Sequence, residues 1–259
     1  MCGISVLFRK ENISADLYAE FLQSLHLIDH RGPDDEGIVL INTKTGTFTI
    51  SRSQIDNISK PGGSWVDSYN LILGHKRLSI VDLTANGHQP MQGIDGTWIV
   101  FNGEIYNYIE LKEELKKSGS IFNTHSDTEV ILEAYRVWGE SCLQKLNGMW
   151  SFCIWDAPKK KLFFSNDRFG VKPLYYRENK EGFILVSEIK QYKAYKGIHL
   201  TINQNSLADF INYSYIDTGE ETIYNNLYRF KKAHCILINP LNYQTHSIKK
   251  DQKRYYQLV

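Results

Sequence analysis

Met1-Cys-Gly-Ile-Ser-Val-Leu-Phe8 sets a small, reactive residue directly ahead of a β-branched and apolar run. The run from Ile4 to Phe8 reads as a strand, so Cys2 stands at the entrance to the first element of a sheet. Removal of Met1 would leave an α-amine and a thiol on one residue, a nucleophile with its own base. A cysteine thiol has a reference pKa of ~8.5 and an α-amine ~7.7–8.0, so near pH 7 an unprotonated amine can take the thiol proton as attack begins. The small side chain of Cys2 also favours removal of Met1. The competing reading is structural: Met-Cys begins many unrelated chains, and cysteine commonly packs as a small apolar residue. The remainder of the sequence decides between them.

Outward from that run, short apolar β-rich segments dominate, at Gly37–Ile41, Phe48–Ser51, Asn70–Leu73, Trp98–Phe101, Met149–Trp155, Lys161–Ser165, Leu174–Tyr176, Phe183–Ser187 and Cys235–Asn239. Hairpin-scale turns such as Asp156-Ala-Pro-Lys-Lys160 separate many of them, which predicts mostly antiparallel sheet. Three helices interrupt the strands. One follows Ser14 as N-cap, with Leu17, Phe21, Leu25 and Ile28 on one apolar stripe that stops before Gly32-Pro33. A second covers about Ile109–Lys117, with Asn107 and Glu110 at capping-box spacing and Gly119 beyond its end. The third follows Ser126, where Glu129 completes another such spacing, and it buries Val130, Ile131, Ala134, Tyr135 and Trp138 before Gly139. Helices inserted in blocks among strands predict an α+β layered domain over residues 1–196. From about Gly197 the pattern loosens into Tyr- and Asn-rich segments, read as the end of that domain and a lead-out over 197–259.

The chain has 259 residues, 42% of them hydrophobic, and 30 Lys plus Arg against 29 Asp plus Glu for a net charge of +1. That is enough apolar material for one large core or two modest ones. No stretch is basic enough for a nucleic-acid footprint, no apolar run approaches a bilayer span, and the N-terminus lacks a long apolar leader segment. A cytoplasmic protein with neither nucleic-acid nor membrane partners is expected. Cys2, Cys142, Cys153 and Cys235 are scattered without metal-ligand spacing, so neither a metal site nor a disulfide framework is expected.

Residues 97–107 place Asn102-Gly103 between two strand-like runs. A type I′ hairpin turn explains that pair. A carboxamide N–H2 beside a glycine N–H could also serve a tetrahedral oxyanion. Gly74-His-Lys-Arg-Leu-Ser-Ile-Val-Asp82 sets Arg77 within an apolar, strand-like stretch. There it either grips a ligand carboxylate or pairs with Asp82 or Glu104. Asp127 lies in the first turn of the third helix, where the helix dipole favours it whatever its function. Its alternative role is to anchor a ligand ammonium. His30-Arg-Gly-Pro-Asp-Asp-Glu-Gly37 has turn chemistry, and His30 is given a positioning role.

Taken in order, Met1-Cys-Gly-Ile4, His30-Arg-Gly-Pro-Asp34, Arg77-Leu-Ser-Ile-Val-Asp82, Gln89-Pro-Met91, Asn102-Gly-Glu-Ile-Tyr-Asn107, Ser126-Asp-Thr-Glu-Val-Ile-Leu132 and Asp167-Arg-Phe-Gly-Val-Lys-Pro-Leu-Tyr-Tyr176 resemble one family. It is the class II, N-terminal-nucleophile glutamine amidotransferases, specifically the glutaminase domain of glutamine-hydrolysing asparagine synthetases. The resemblance covers nearly the whole chain and implies a four-layer αββα sandwich of two antiparallel sheets. It also implies that Cys2 attacks the side-chain amide of L-glutamine to form a thioester and that Asn102 and Gly103 hold the oxyanion. Arg77 would then bind the substrate α-carboxylate, Asp127 and Gly103-Glu104 its α-amine, and Leu78 and Val81 would add main-chain contacts along the same strand. The Arg77 segment separates the chain from glucosamine-phosphate synthases and phosphoribosyl-pyrophosphate amidotransferases, whose arginine segments are differently composed.

The same resemblance implies no cofactor for the glutaminase half-reaction, with ATP and magnesium needed only in a synthetase domain. Ammonia would pass to such a domain or to a separate acceptor protein, and a homodimer is compatible with the sequence. Two departures stand out: no Ser-Gly-Gly-x-Asp-Ser-type loop occurs, and Lys231-Lys-Ala-His234 replaces a Pro-Pro-Gly-His-like turn. The stretch 42–68 is long and has no functional reading. The rival readings are a non-catalytic interaction module on a degenerate fold, and an enzyme that amidates an acceptor other than aspartate.

Overall fold

The computed structural model describes residues 1–51, 65–215 and 219–258. Of the unusual stretch 42–68, residues 52–64 lie outside the described residues. In chain order the elements are β1 (Gly3–Arg9), α1 (Ala15–His26), β2 (Asp35–Ile41), β3 (Phe48–Ser51), β4 (Leu71–Arg77), β5 (Met91–Gln92) and β6 (Trp98–Ile105). There follow α2 (Tyr108–Lys117), α3 (Asp127–Trp138), α4 (Cys142–Lys145), β7 (Gly148–Asp156), β8 (Lys161–Asn166), β9 (Tyr175–Asn179) and β10 (Gly182–Val186). The chain closes with α5 (Gln204–Tyr213), β11 (Tyr228–Arg229), β12 (His234–Ile238), α6 (Ile248–Asp251) and β13 (Lys253–Arg254).

Two antiparallel sheets result, ordered β11-β9-β10-β1-β4-β2-β3 and β13-β12-β8-β7-β6-β5. Side chains alternate across each strand, and that alternation divides the core into three layers. Ile4, Val6 and Phe8 of β1, Val39 and Ile41 of β2, and Leu71 and Leu73 of β4 meet Trp98, Val100, Cys153, Trp155, Leu162 and Phe164 from the second sheet. The intervening Leu7, Ile38, Leu40 and Ile72 face Phe21, Leu22 and Leu25 of α1. On the far side, Ile99, Phe101, Phe152, Ile154 and Phe163 pack against Leu111 and Leu115 of α2 and Val130, Ile131 and Ala134 of α3. The order is therefore helix, sheet, sheet, helices: the αββα sandwich. No helix among the described residues is long and apolar enough to cross a membrane.

The structure corrects several local expectations. Asn102-Gly103 forms no turn: β6 runs through it, with Asn102 opposite Ser151 and Gly103 opposite Trp150. Glycine is required there because a Cβ would collide with the Met149 carbonyl, so close strand approach explains the residue. The strand carrying Arg77 ends at that residue, leaving Leu78 and Val81 in a loop. Ser14 caps α1 by accepting from Leu17 N–H, as its position predicts. Asn107, however, does not cap α2. Its carboxamide accepts from Asn147 N–H and donates to the Lys145 carbonyl, tying α2 to the segment after α4. Glu129 reaches past Ser126 to the N–H groups of Asn123 and Thr124, both at 2.8 Å, and so organises the loop before α3 rather than completing a capping box.

The segment after Gly197 contains α5, which the sequence reading did not single out, and gives β11 to the first sheet and β12 and β13 to the second. Ile236 and Ile238 are core residues between the sheets. Ala233 occupies the left-handed region with φ +60°, in the turn where the resemblance leads one to look for glycine. Exposed Lys160, in the β7–β8 hairpin, has φ +52°. A left-handed non-glycine residue costs about 1–2 kcal/mol. Lys160→Gly is therefore expected to stabilise the fold by about 1 kcal/mol, read as a melting temperature ~2–4 °C higher. An unchanged or lower value would contradict the strain.

Candidate active site

The alternation that builds the core also builds the site. Cys2 continues the Ile4–Val6 face one step beyond β1, and Asn102 continues the Trp98–Val100 face of β6. Both reach the rim of the inter-sheet layer and line one cleft of about 580 Å³, counted to its open mouth. Gly103, Arg77, Leu78 and Val81 line the same cleft, and Glu104 and Asp127 complete its wall. The eight residues singled out from sequence are thus brought together from β1, β4 with its following loop, β6 and α3.

Cys2 is held at both its main chain and its sulfur. Arg31 Nε donates to the Cys2 carbonyl at 2.8 Å, and one step on, Ile4 N–H donates to Ser187 Oγ at 2.9 Å. The thiol lies against Leu78, with Leu78 N–H donating to Sγ at 3.4 Å and Sγ 3.5 Å from the Leu78 carbonyl. Burial pushes the thiol pKa up, opposed by the Leu78 hydrogen bond, the N-terminal charge and Arg77. A thiol in that condition is not a preformed thiolate and needs a base.

The Asn102 carboxamide is fully buried, yet neither its Oδ1 nor its Nδ2 makes a hydrogen bond. A buried polar group left unbonded costs about 1–3 kcal/mol, and this carboxamide keeps its full hydrogen-bonding capacity at the cleft. Gly103 lines the same cleft without a side chain.

Arg77 is buried at the cleft wall, where its Nη1 donates to the Thr84 carbonyl at 3.0 Å and its Nη2 to the Asp82 carbonyl. The guanidinium thus folds the 78–84 loop over itself by main-chain carbonyls. A Cβ at Gly87 would strike that guanidinium, which explains the glycine. Asp82 accepts from Thr84 Oγ1 at 2.6 Å and from His125 N–H at 3.3 Å, joining the loop to the start of α3. Asp127 Oδ2 accepts from Ile105 N–H at 3.0 Å; burial pushes its carboxyl up to about 6, with Glu104 adding to the effect.

Sequence reading passed over four residues that organise this cleft. Arg31 fixes the Cys2 carbonyl while its Nη1 pairs with Glu188 at 2.9 Å. Its neighbour His30, the residue weighed from sequence, is exposed and reaches Glu188 at 3.0 Å. Gln89 accepts from Phe101 N–H at 2.7 Å and donates to Thr128 Oγ1 at 3.2 Å, clamping β6 to α3. His75 sits on the inter-sheet face of β4 with Nε2 3.0 Å from the Phe101 carbonyl, and burial pushes its pKa down to about 3, so it is a neutral donor there. Asp167 gathers the N–H groups of Trp150, Phe169, Val171 and Lys172. All four lie within quoted motifs, but only the three-dimensional hydrogen bonds distinguish them from their neighbours.

The family profile described as "Glutamine amidotransferase domain" matches residues 56–256. The chain belongs to that family. Asparagine synthetase (glutamine-hydrolyzing) 1 of Bacillus subtilis is 35% identical over 219 residues, covering 83% of this chain and 30% of the relative. Asparagine synthetase (glutamine-hydrolyzing) 3 of the same organism is 35% identical over 241 residues, covering 91% of this chain and 34% of the relative. This glutamine amidotransferase domain therefore spans about a third of the length of those relatives. The structure of glutamine phosphoribosylpyrophosphate amidotransferase from Bacillus subtilis, complexed with ADP and GMP, superposes with a TM-score of 0.66 at 19% identity. That match covers 100% of this chain and 50% of the other, and at such identity it establishes the fold alone.

Proposed function

We propose that this domain hydrolyses L-glutamine to L-glutamate and ammonia through a Cys2 thioester, and that the ammonia is used by an acceptor site of the asparagine-synthetase type. The unbonded, buried Asn102 carboxamide in the cleft of the Cys2 thiol carries the reading. After Met1 is removed, the Cys2 amine takes the thiol proton and Sγ attacks the side-chain carbonyl carbon. The oxyanion is held by Asn102 Nδ2 and Gly103 N–H. The amine then returns its proton to the leaving nitrogen, ammonia departs, and water cleaves the thioester.

Arg77 binds the substrate α-carboxylate, Asp127 and Glu104 its ammonium, and Leu78 and Val81 supply main-chain contacts. No cofactor enters this half-reaction; ATP and magnesium belong to adenylation of the acceptor in a synthetase domain or partner protein. A cytoplasmic setting fits a glutamine-consuming reaction. The test is to incubate the purified chain with glutamine, and separately with ATP, magnesium, aspartate and glutamine. Glutamate and ammonia are expected in both mixtures and asparagine in neither. Asparagine and pyrophosphate formed in equal amounts would overturn the assignment of a glutaminase half alone.

The Asp127 carboxyl gives this reading a pH signature. Substrate ammonium pairs with the ionised form, which is lost as pH falls through about 6. Glutamine affinity in Cys2→Ala, measured by calorimetry, is therefore expected to weaken about fourfold between pH 7.5 and 5.5. The double variant carrying Asp127→Asn should bind weakly across that range, and an unchanged pH dependence in it would remove Asp127 from the ammonium site.

A further inference from the structure

Lys172 is only 5% exposed, yet it lines the Cys2 cleft. A partly desolvated ammonium is costly, and the loop that carries this one is fixed by its own backbone hydrogen bonds. Asp167 Oδ2 accepts from Lys172 N–H and Asn166 Nδ2 donates to the Lys172 carbonyl, each at 3.0 Å. Asp167 Oδ1 meanwhile accepts from Phe169 N–H at 2.9 Å and Val171 N–H at 3.0 Å, so the whole 167–172 loop is wrapped around one carboxylate. The ammonium enters no ion pair among the described residues.

The charged groups around it come from every neighbouring element. Arg31 stands behind Cys2 and is offset by Glu188, while Arg77 lies at the end of β4. Glu104 comes from β6, Asp127 from α3 and Asp167 from the loop itself. Burial pushes the Lys172 pKa down and Arg31 adds to that, whereas Cys2, Glu104 and Asp167 oppose it.

We propose that Lys172 is a positioning residue for the Cys2 nucleophile, its ammonium at the cleft favouring the neutral amine and the thiolate of the processed cysteine over the ammonium and the thiol. The proposal rests on the reading of Cys2 as nucleophile. A positive charge raises the free energy of a second positive charge nearby and lowers that of a negative one. The first effect keeps the resting amine neutral and able to accept the thiol proton, and the second stabilises the thiolate, whose formation burial opposes.

The test follows the rate at which 6-diazo-5-oxo-norleucine labels Cys2 between pH 5.5 and 9 in chain freed of Met1. The unsubstituted protein is compared with Lys172→Met, Lys172→Gln and Lys172→Arg. Loss of the charge raises the amine pKa and reduces its neutral fraction at low pH. The acid limb of both neutral variants is therefore expected about one unit higher, with labelling about tenfold slower at pH 6.5. Lys172→Arg should keep the unsubstituted limb, and either neutral variant that folds suffices for the comparison. A rate lowered equally at all pH values, or a limb displaced as far by Arg as by Met, would overturn the proposal while leaving the nucleophile intact. Absence of Cys2 labelling in the unsubstituted chain would instead contradict the nucleophile and, with it, the role of Lys172.

Discussion

Cys2→Ala is expected to lower glutamine hydrolysis by about 10⁴- to 10⁶-fold while leaving the fold intact, because it removes the nucleophile of the proposed thioester route. Its small, half-buried side chain contributes little to the core, which begins at Ile4. The other thiols offer no substitute. Cys142 and Cys153 are buried and their pKa values are pushed well above the ordinary thiol range by desolvation, and burial pushes Cys235 up to about 11. Glutaminase assay and thermal unfolding of the same sample check both halves of the expectation. Activity that survives the substitution would place the nucleophile elsewhere.

Asn102→Ala should lower kcat by about 10²–10³ while moving KM much less, because in the proposed mechanism the carboxamide serves the charge that develops in the transition state. The substitution should also be mild for stability, unusually for a fully buried polar residue, because it removes an unbonded group and breaks no hydrogen bond. Arg77→Ala should behave in the opposite way: KM rises, and the 78–84 loop loses the guanidinium that gathers its carbonyls. Steady-state kinetics separates the two. Were the patterns exchanged, the roles given to these residues would be wrong.

Much of this site was legible because its ordered motifs resemble those of one family, and the period of two in a strand explains why the residues so singled out meet. The apolar run after Cys2 and the run before Asn102 fix which face each residue occupies, and those faces meet once the two sheets stack. The same logic failed at Asn102-Gly103, where a strong local turn signal was overridden by pairing with β7 across an uninterrupted ladder. It failed again at Asn107 and Glu129, whose side chains were drawn to backbone groups outside their own helix ends. Helix α5 carries Leu207, Phe210 and Ile211 at helical spacing behind Asn203 as N-cap, a signal the sequence reading passed over, although none of its residues is buried. Arg31, Gln89, Asp167 and Lys172 act through partners distant in sequence or through loop geometry, so spacing alone could not single them out.

The central claim is that a processed Cys2 is the sole nucleophile, and intact mass before and after treatment with 6-diazo-5-oxo-norleucine tests it most directly. The account predicts a chain lacking Met1 that gains one adduct, located by peptide mapping on Cys2 and absent from Cys2→Ala. A chain that retains Met1 and still turns over glutamine, or an adduct on Cys142, Cys153 or Cys235, would contradict it.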